Sequence, residues 1–180
     1  SKKNIKKNLD HVSKKLNVKG DKLILMHQTH SNKVVKIKKS NYKKKIVADA
    51  MITKMKGIAL GVLTADCVPI VIYDVKNEVI GCIHAGWRGL KLEIIQKFFD
   101  SIPEDNSNLK VLIGPCISKK RYEVDYKIFR EFKSYKKFFS KNKRGRYNMD
   151  IRLIAHDILS QLGITDVTIS NDCTYDNQQF

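Results

Sequence analysis

A chain of 180 residues that is 42% hydrophobic suits one domain with a buried core, and no apolar run reaches the roughly 20 residues of a membrane helix. The formal net charge of +17 suggests binding to nucleic acid. However, only six of the 35 basic residues are Arg, the residue that is favoured for recognition of bases and phosphates. We therefore expect a solvated lysine surface without a specific nucleic-acid or membrane partner, whose field attracts small anions such as phosphate.

The first part of the chain predicts a helix followed by short strands. Residues 1–17 carry the apolar stripe of an amphipathic helix, formed by Ile5, Leu9, Val12 and Leu16. Short apolar or β-branched runs follow, each broken by Gly, Asn, Asp or Lys. They predict strands at residues 23–26, 34–37, 59–63, 68–73, 79–83 and 111–113.

The later elements are mostly helical. Residues 89–99 place an apolar face before Pro103, which predicts a helix that ends near this proline. Residues 125–139 and 151–162 predict two further helices, and 167–170 a last strand; residues 141–146 are the best candidate for a mobile loop. Helices and strands follow in mixed order, which favours an α+β fold in one domain over residues 1–180 rather than a regular βαβ repeat.

Three segments each place a reactive side chain at the end of an apolar strand, beside a turn of small residues. These side chains are His30, Cys67 and His84. Two imidazoles and one thiolate suit a catalytic zinc site, because such sites use three protein ligands and leave the fourth position for water or substrate. The spacings match no zinc-finger pattern, so on the residues alone a core histidine and a core cysteine compete with metal ligation.

The remaining histidines and cysteines are interpreted as structural. His27 lies three residues before His30, and side chains three apart in a strand face opposite sides of the sheet. His11 and His156 fall in predicted helices without a partner motif. Cys82 shares a strand face with His84, where a buried core thiol is the preferred interpretation. The four cysteines form no Cys-x-x-Cys pair and are too sparse for a secreted disulfide scaffold, which indicates a reducing, cytoplasmic setting.

A Gly-Trp-Arg-Gly turn at residues 86–89 runs into a predicted helix. The free N–H groups at a helix start favour anions, and Arg88 could add a bidentate fork for phosphate or carboxylate. The alternative is a tight turn with a solvated Arg88. A second glycine turn at 114–117 leads towards Glu123, and its role is open on the sequence.

Five motifs in order resemble the YfiH-like family, which is also labelled multicopper polyphenol oxidase or laccase-domain proteins. The motifs are Gln28-Thr29-His30, Ala48-Asp49-Ala50, Leu63-Thr64-Ala65-Asp66-Cys67-Val68-Pro69, His84-Ala85-Gly86-Trp87-Arg88-Gly89 and Ile113-Gly114-Pro115-Cys116-Ile117. The resemblance implies one α+β domain of sandwiched mixed sheets flanked by helices (α/β/β/α), with zinc held by His30, Cys67 and His84. It also implies that the family's usual N-terminal segment is largely missing before residue 1, that relatives carry a short tail beyond Phe180, and that Ser31 replaces a family glycine.

The same resemblance implies a purine nucleoside enzyme that phosphorolyses adenosine, inosine or methylthioadenosine and deaminates adenosine. We expect Cys67 to act at the metal, Asp66 or Glu123 to carry protons, and Gln28, Arg88 and Glu123 to contact nucleoside or phosphate. In other zinc deaminases, a carboxylate that does not bind the zinc carries the protons. Three alternatives stay open: a copper-loaded polyphenol oxidase, a thiol hydrolase with Cys67 and His84, and a non-catalytic zinc module.

Overall fold

The computed structural model describes residues 2–102 and 108–177, and these contain five α-helices and twelve strands. The helices are α1 (Lys2–Lys15), α2 (Trp87–Lys91), α3 (Ile94–Asp100), α4 (Tyr126–Glu131) and α5 (Ile151–Gln161). The strands are β1 (Leu23–His27), β2 (Val34–Lys36), β3 (Ile46–Val47), β4 (Ala50–Thr53), β5 (Ala59–Gly61), β6 (Val68–Asp74), β7 (Val79–Ala85), β8 (Lys110–Ile113), β9 (Glu123–Val124), β10 (Phe139–Lys141), β11 (Tyr147–Met149) and β12 (Val167–Ile169). Pro103 lies outside the described residues.

The largest sheet has the strand order β12-β8-β6-β7-β4-β2. At its centre, β6 and β7 pair antiparallel, with Ile70 opposite Ile83. Alternate residues of β6 are apolar and buried, because successive side chains of a strand point to opposite faces. The buried face packs with α2, α3 and α5 in the main core, whose largest fully buried side chain is Phe98.

A smaller sheet of order β3-β1-β5 covers part of the other face. Its strands are parallel, and Ile24 and Met26 of β1 pack with Met51 of β4 and Cys82 of β7 in a second core cluster. A further sheet of order β10-β11-β9 adjoins the main core. The result is the predicted mixed α+β architecture, with helices on one face of the large sheet and a second sheet on the other.

Two predicted helices differ from the structure. The segment predicted as one helix over 89–99 is divided into α2 and α3 by Glu93, whose φ of 64° is left-handed and cannot continue an α-helix. The prediction over 125–139 is wrong beyond Glu131. There the chain forms a 3-10 helix, Lys133–Phe138, and then enters β10, because Phe132 and Phe139 both turn into the main core.

The segment predicted as a mobile loop, residues 141–146, forms the turn between β10 and β11. The side chain of Asn142 accepts hydrogen bonds from the backbone N–H groups of Arg144 and Arg146, and Gly145 supplies the left-handed φ of 73°. The turn is therefore hydrogen-bonded within itself. Sequence patterns also missed the short strands β3, β4, β9, β10 and β11.

No helix in residues 2–102 and 108–177 is long and apolar enough to cross a membrane.

Candidate metal centre

The three reactive side chains singled out by sequence meet at one end of the large sheet. His30 lies in the turn between β1 and β2, Cys67 directly precedes β6, and His84 lies in β7. Because Pro69 pairs with His84 in the antiparallel register, the start of β6 lies beside the end of β7. The donor atoms of His30, Cys67 and His84 all lie within 4.8 Å of one another, and Cys67 Sγ is 4.0 Å from His30 Nε2.

Asp49 connects two of the three donors. Its side chain is fully buried just before β4, and its Oδ1 lies 2.8 Å from His84 Nδ1. The backbone N–H groups of His30 and Ser31 donate to the same carboxylate at 3.0 and 2.8 Å. An Nδ1–H that donates to Asp49 leaves Nε2 of His84 as the nitrogen free to bind a metal, since a neutral imidazole has one acceptor nitrogen.

The electrostatics of Asp49 favour this arrangement. Burial opposes ionisation of the carboxyl group, but hydrogen bonds from His84, Ser31 and Thr29 outweigh burial and lower its pKa to about 2. The ionised carboxylate also holds the turn at His30, which has a left-handed φ of 58° that is uncommon for a residue other than glycine. The position of His30 is therefore fixed by a buried charge.

Gly86 provides the space that the donor cluster occupies. A Cβ atom at this position would lie 2.9 Å from Cys67 Sγ and 3.2 Å from His30 Cδ2, both closer than ordinary contacts. Any larger residue would have to displace a donor. The glycine of the Gly-Trp-Arg-Gly turn thus has a steric role at the centre.

The donor set fits zinc. Zinc–nitrogen and zinc–sulfur bonds of about 2.0 and 2.3 Å in a tetrahedron separate the donors by roughly 3.5 Å. The 4.0 Å between Cys67 Sγ and His30 Nε2 is only slightly longer, so a small side-chain movement would close the set. His84 is buried and His30 is exposed, so the centre is open to solvent on the side of His30.

The thiol of Cys67 lies in surroundings that disfavour its charge. Burial raises its pKa, and the nearby carboxylate of Asp66 raises it further. A bound cation would reverse this effect, because thiolates that ligate a metal are deprotonated.

Two residues that the sequence did not single out border the centre. Tyr122 is half-buried; burial raises the pKa of its phenol, and the charges of Cys67 and Asp66 raise it further, which places the phenol near both groups. Thr174 donates from its hydroxyl to Asp66 Oδ1 at 2.8 Å. Asp66 itself is exposed and has a left-handed φ of 77°.

The other predicted site residues have separate surroundings. The side-chain amide of Gln28 donates a hydrogen bond to the backbone oxygen of Leu63 at 2.6 Å and accepts one from the backbone N–H of Leu63 at 3.0 Å. Glu123 accepts from Asn142 at 2.6 Å and pairs with Arg146 at 3.3 Å. Their substrate roles stay predictions.

Arg88 lies at the start of α2, where it is exposed. Its guanidinium carbon lies 5.2 Å from the ring centre of Trp87, which itself packs against the main core. Arg88 forms no ion pair with another described residue, so its guanidinium group is accessible to an incoming anion.

The fold has close counterparts among solved structures. A Bacillus licheniformis hypothetical protein YfiH superposes with a TM-score of 0.89 at 23% identity, over 97% of this chain and 72% of that chain. The Neisseria meningitidis protein NMB0706 superposes with a TM-score of 0.84 at 25% identity, over 93% and 69%. These likenesses define a YfiH-type α+β domain.

The sequence defines the family. The model described as multi-copper polyphenol oxidoreductase laccase matches residues 1–180, and the chain belongs to this family. It is 33% identical over 169 residues to a purine nucleoside phosphorylase of Rickettsia prowazekii, covering 88% of this chain and 68% of the relative. It is 34% identical over 158 residues to a purine nucleoside phosphorylase of Aquifex aeolicus, covering 86% and 72%.

Proposed function

We propose that the protein is a cytoplasmic, zinc-dependent purine nucleoside phosphorylase that acts on adenosine, inosine or methylthioadenosine and also deaminates adenosine. The observation that carries this proposal is the convergence of His30, Cys67 and His84 within 4.8 Å on a side open to solvent. The names of the relatives from Rickettsia prowazekii and Aquifex aeolicus support the purine nucleoside class.

Zinc held by His30, Cys67 and His84 would supply a Lewis acid on the side of the cluster that is open to solvent, and three protein ligands are the number typical of catalytic zinc sites. Asp49 keeps His84 and the turn at His30 in place for this purpose. The protein groups around the open side would then orient the nucleoside and transfer protons to and from it.

Asp66 is the group best placed to carry a proton. It directly precedes Cys67, it is exposed, and the hydroxyl of Thr174 occupies its Oδ1, so Oδ2 remains for substrate. In deamination the Asp66 carboxylate would accept a proton from the attacking water and pass it to the departing amino group. In phosphorolysis it would pass a proton taken from dihydrogen phosphate or solvent to the purine ring as the base leaves the ribose.

Arg88 is proposed to hold phosphate. It follows the buried Gly86 by two residues, on the turn that ends β7, and its guanidinium can bind two phosphate oxygens at once. The helix that it begins has only five residues, so the proposal rests on the side chain rather than on the helix end.

The redox and thiol alternatives are less well supported by the structure. A multicopper centre needs many imidazoles, whereas the chain has five histidines, and His30 and His84 alone join a donor cluster within the described residues. A nucleophilic thiol needs a lowered pKa, whereas burial and Asp66 raise the pKa of Cys67. A metal enzyme of the nucleoside class agrees better with both observations.

The test combines metal analysis with a chromatographic assay on adenosine, inosine and methylthioadenosine, each with and without phosphate. We expect near-stoichiometric zinc, phosphate-dependent release of free base, and phosphate-independent formation of inosine from adenosine. Cys67→Ala should lose zinc and both activities together. Copper with oxidation of phenols would overturn the proposal, and so would base release that Cys67→Ala leaves unchanged.

A further inference from the structure

A cavity of about 480 Å³ lies at the end of the large sheet opposite the metal centre. It is bordered by the carboxyl ends of β2 and β4, the start of β7 and the residue that follows α3. Small-molecule sites in proteins have volumes of about 300–1,000 Å³, so this cavity has the size of a ligand site.

The floor of the cavity is apolar. Ile37, Ile52 and Val79 line it and have no more than 4% of their surface exposed, so each contributes a small apolar area that is held in place by the core. Met55 adds a half-buried, flexible thioether at the side. The polar group of the floor, the Thr53 hydroxyl, already donates to the backbone oxygen of Ile37 at 2.9 Å. The floor therefore suits an apolar group, because the Thr53 hydroxyl does not need a hydrogen bond from the ligand.

The rim of the cavity is cationic. Lys36, Lys38 and Lys39 line one side of it and are exposed, and Lys54 and Lys56 line the other. Among the residues that the structure describes, no aspartate or glutamate lines the cavity. Long lysine side chains can place their methylene stems along apolar surface while the ammonium groups remain in solvent. An apolar floor within a lysine rim is complementary to a molecule with an apolar body and an anionic head.

Two carboxylates near the cavity, Glu78 and Asp74, already have partners. Glu78 pairs with Lys56 at 2.6 Å, and Asp74 accepts from the backbone and side chain of Asn77 at 2.9 and 2.7 Å. Within the described residues, no ion pair is recorded for Lys36, Lys38 or Lys39. The side of the rim along β2 thus keeps its positive charge.

The cavity is separate from the metal centre. Asp49 stands before the amino end of β4 and Thr53 at its carboxyl end, so about 13 Å of extended chain separates the two sites. A ligand of the cavity does not compete for the donors His30, Cys67 and His84.

We propose that this cavity is a second ligand site that binds small amphipathic anions, with the apolar body against Ile37, Ile52 and Val79 and the anionic head among Lys36, Lys38 and Lys39. The inference stands independently of the chemistry proposed for the metal centre.

The chain offers a precise reporter, since it contains four methionines, Met26, Met51, Met55 and Met149, and among these Met55 lines the cavity. The purified protein, labelled with ¹³C at the methionine methyl groups, would be titrated with decanoate below its micelle concentration, with decan-1-ol and with inorganic phosphate. We expect decanoate to shift the Met55 signal in a saturable way and to leave Met149, deep in the main core, unchanged. Decan-1-ol should bind roughly three- to tenfold more weakly, and phosphate should cause no saturable shift.

A matched pair of variants tests the rim. Lys36→Ser with Lys38→Ser should weaken decanoate roughly three- to tenfold and leave decan-1-ol unchanged. Lys6→Ser with Lys143→Ser removes the same charge from exposed positions elsewhere and should leave the affinity unchanged. Equal weakening by both pairs, equal affinity for decanoate and decan-1-ol, or the absence of a saturable Met55 shift would each overturn the proposal.

Discussion

The two ends of strand β4 are built in opposite ways. Before its amino end, the buried Asp49 accepts hydrogen bonds from Thr29, His30, Ser31 and His84, so charge and geometry are fixed together. At its carboxyl end, lysines on long stems surround a rigid apolar floor.

The difference shows how one strand can serve two kinds of recognition. A metal requires donors held to within a few tenths of an ångström, which the hydrogen bonds of Asp49 provide. An amphipathic anion requires only an apolar wall and mobile charges. The lysine ammonium groups at the carboxyl end can change position, whereas hydrogen bonds hold the Asp49 carboxylate at the other end in one position.

The largest effect is expected at Asp49. Asp49→Ala should lower the free energy of unfolding by about 3–5 kcal/mol, because it leaves buried donors unpaired, and should weaken zinc binding roughly 10- to 100-fold. Urea denaturation and zinc competition with a chelating dye measure the two effects. Asp74→Ala is the matched control, since Asp74 is also buried but bonds to Asn77 away from the centre. An equal loss of zinc affinity in both variants would contradict the role of Asp49.

A steric test at Gly86 should come next in size. Gly86→Ala places a methyl group 2.9 Å from Cys67 Sγ, and we expect zinc affinity to fall roughly tenfold or more because the donors must move apart. Gly61→Ala creates a similarly close contact of 2.5 Å, with Leu25 Cδ2 in the smaller sheet, where no donor lies. The control variant should lose stability but keep its zinc affinity, and a similar zinc affinity for both variants would count against the steric role.

A smaller, selective effect is expected at Arg88. Arg88→Ala should raise the KM for phosphate roughly tenfold and change the KM for nucleoside less than about twofold, since the lost fork binds phosphate alone. Steady-state kinetics with each substrate varied in turn measure this. Arg130→Ala removes another exposed arginine stacked on an aromatic ring and should leave both values unchanged. Equal increases in the two KM values for Arg88→Ala would refute phosphate binding by this residue.

The smallest effect is expected at the lysine end. Lys56→Ala breaks the 2.6 Å pair with Glu78, but both side chains are more than half exposed, so solvent screens the attraction. The thermal midpoint should change by less than about 2 °C, and the double change with Glu78→Ala should add nothing further. A large change would mean that this rim is as fixed as the surroundings of Asp49.

Sequence reasoning succeeded where a local pattern carries the information. Alternation of apolar residues predicted β6 and β7, and position at strand ends singled out His30, Cys67 and His84, which the structure brings together. It failed at Glu93, because a left-handed residue inside an apolar helical pattern leaves no mark on the periodicity.

Residues that act through distant contacts were the hardest to find. Tyr122 and Thr174 border the centre through chain reversals that no local pattern encodes. Asp49 had a signal that could have been used, since an acidic residue between two alanines and before an apolar strand must find buried partners. The cavity at the lysine rim combines β2, β4, β7 and the end of α3, so it too depends on tertiary packing.

The hydrogen bond between Asp66 and Thr174 determines when the surroundings of Asp66 can form during synthesis of the chain. The two residues are 108 positions apart, so at about 5–20 residues per second a ribosome takes roughly 5 to 20 s to deliver Thr174 after Asp66. All three donors, from His30 to His84, leave the ribosome before β8, Tyr122 and Thr174. A nascent chain thus presents the three donors first and completes the surroundings of Asp66 last.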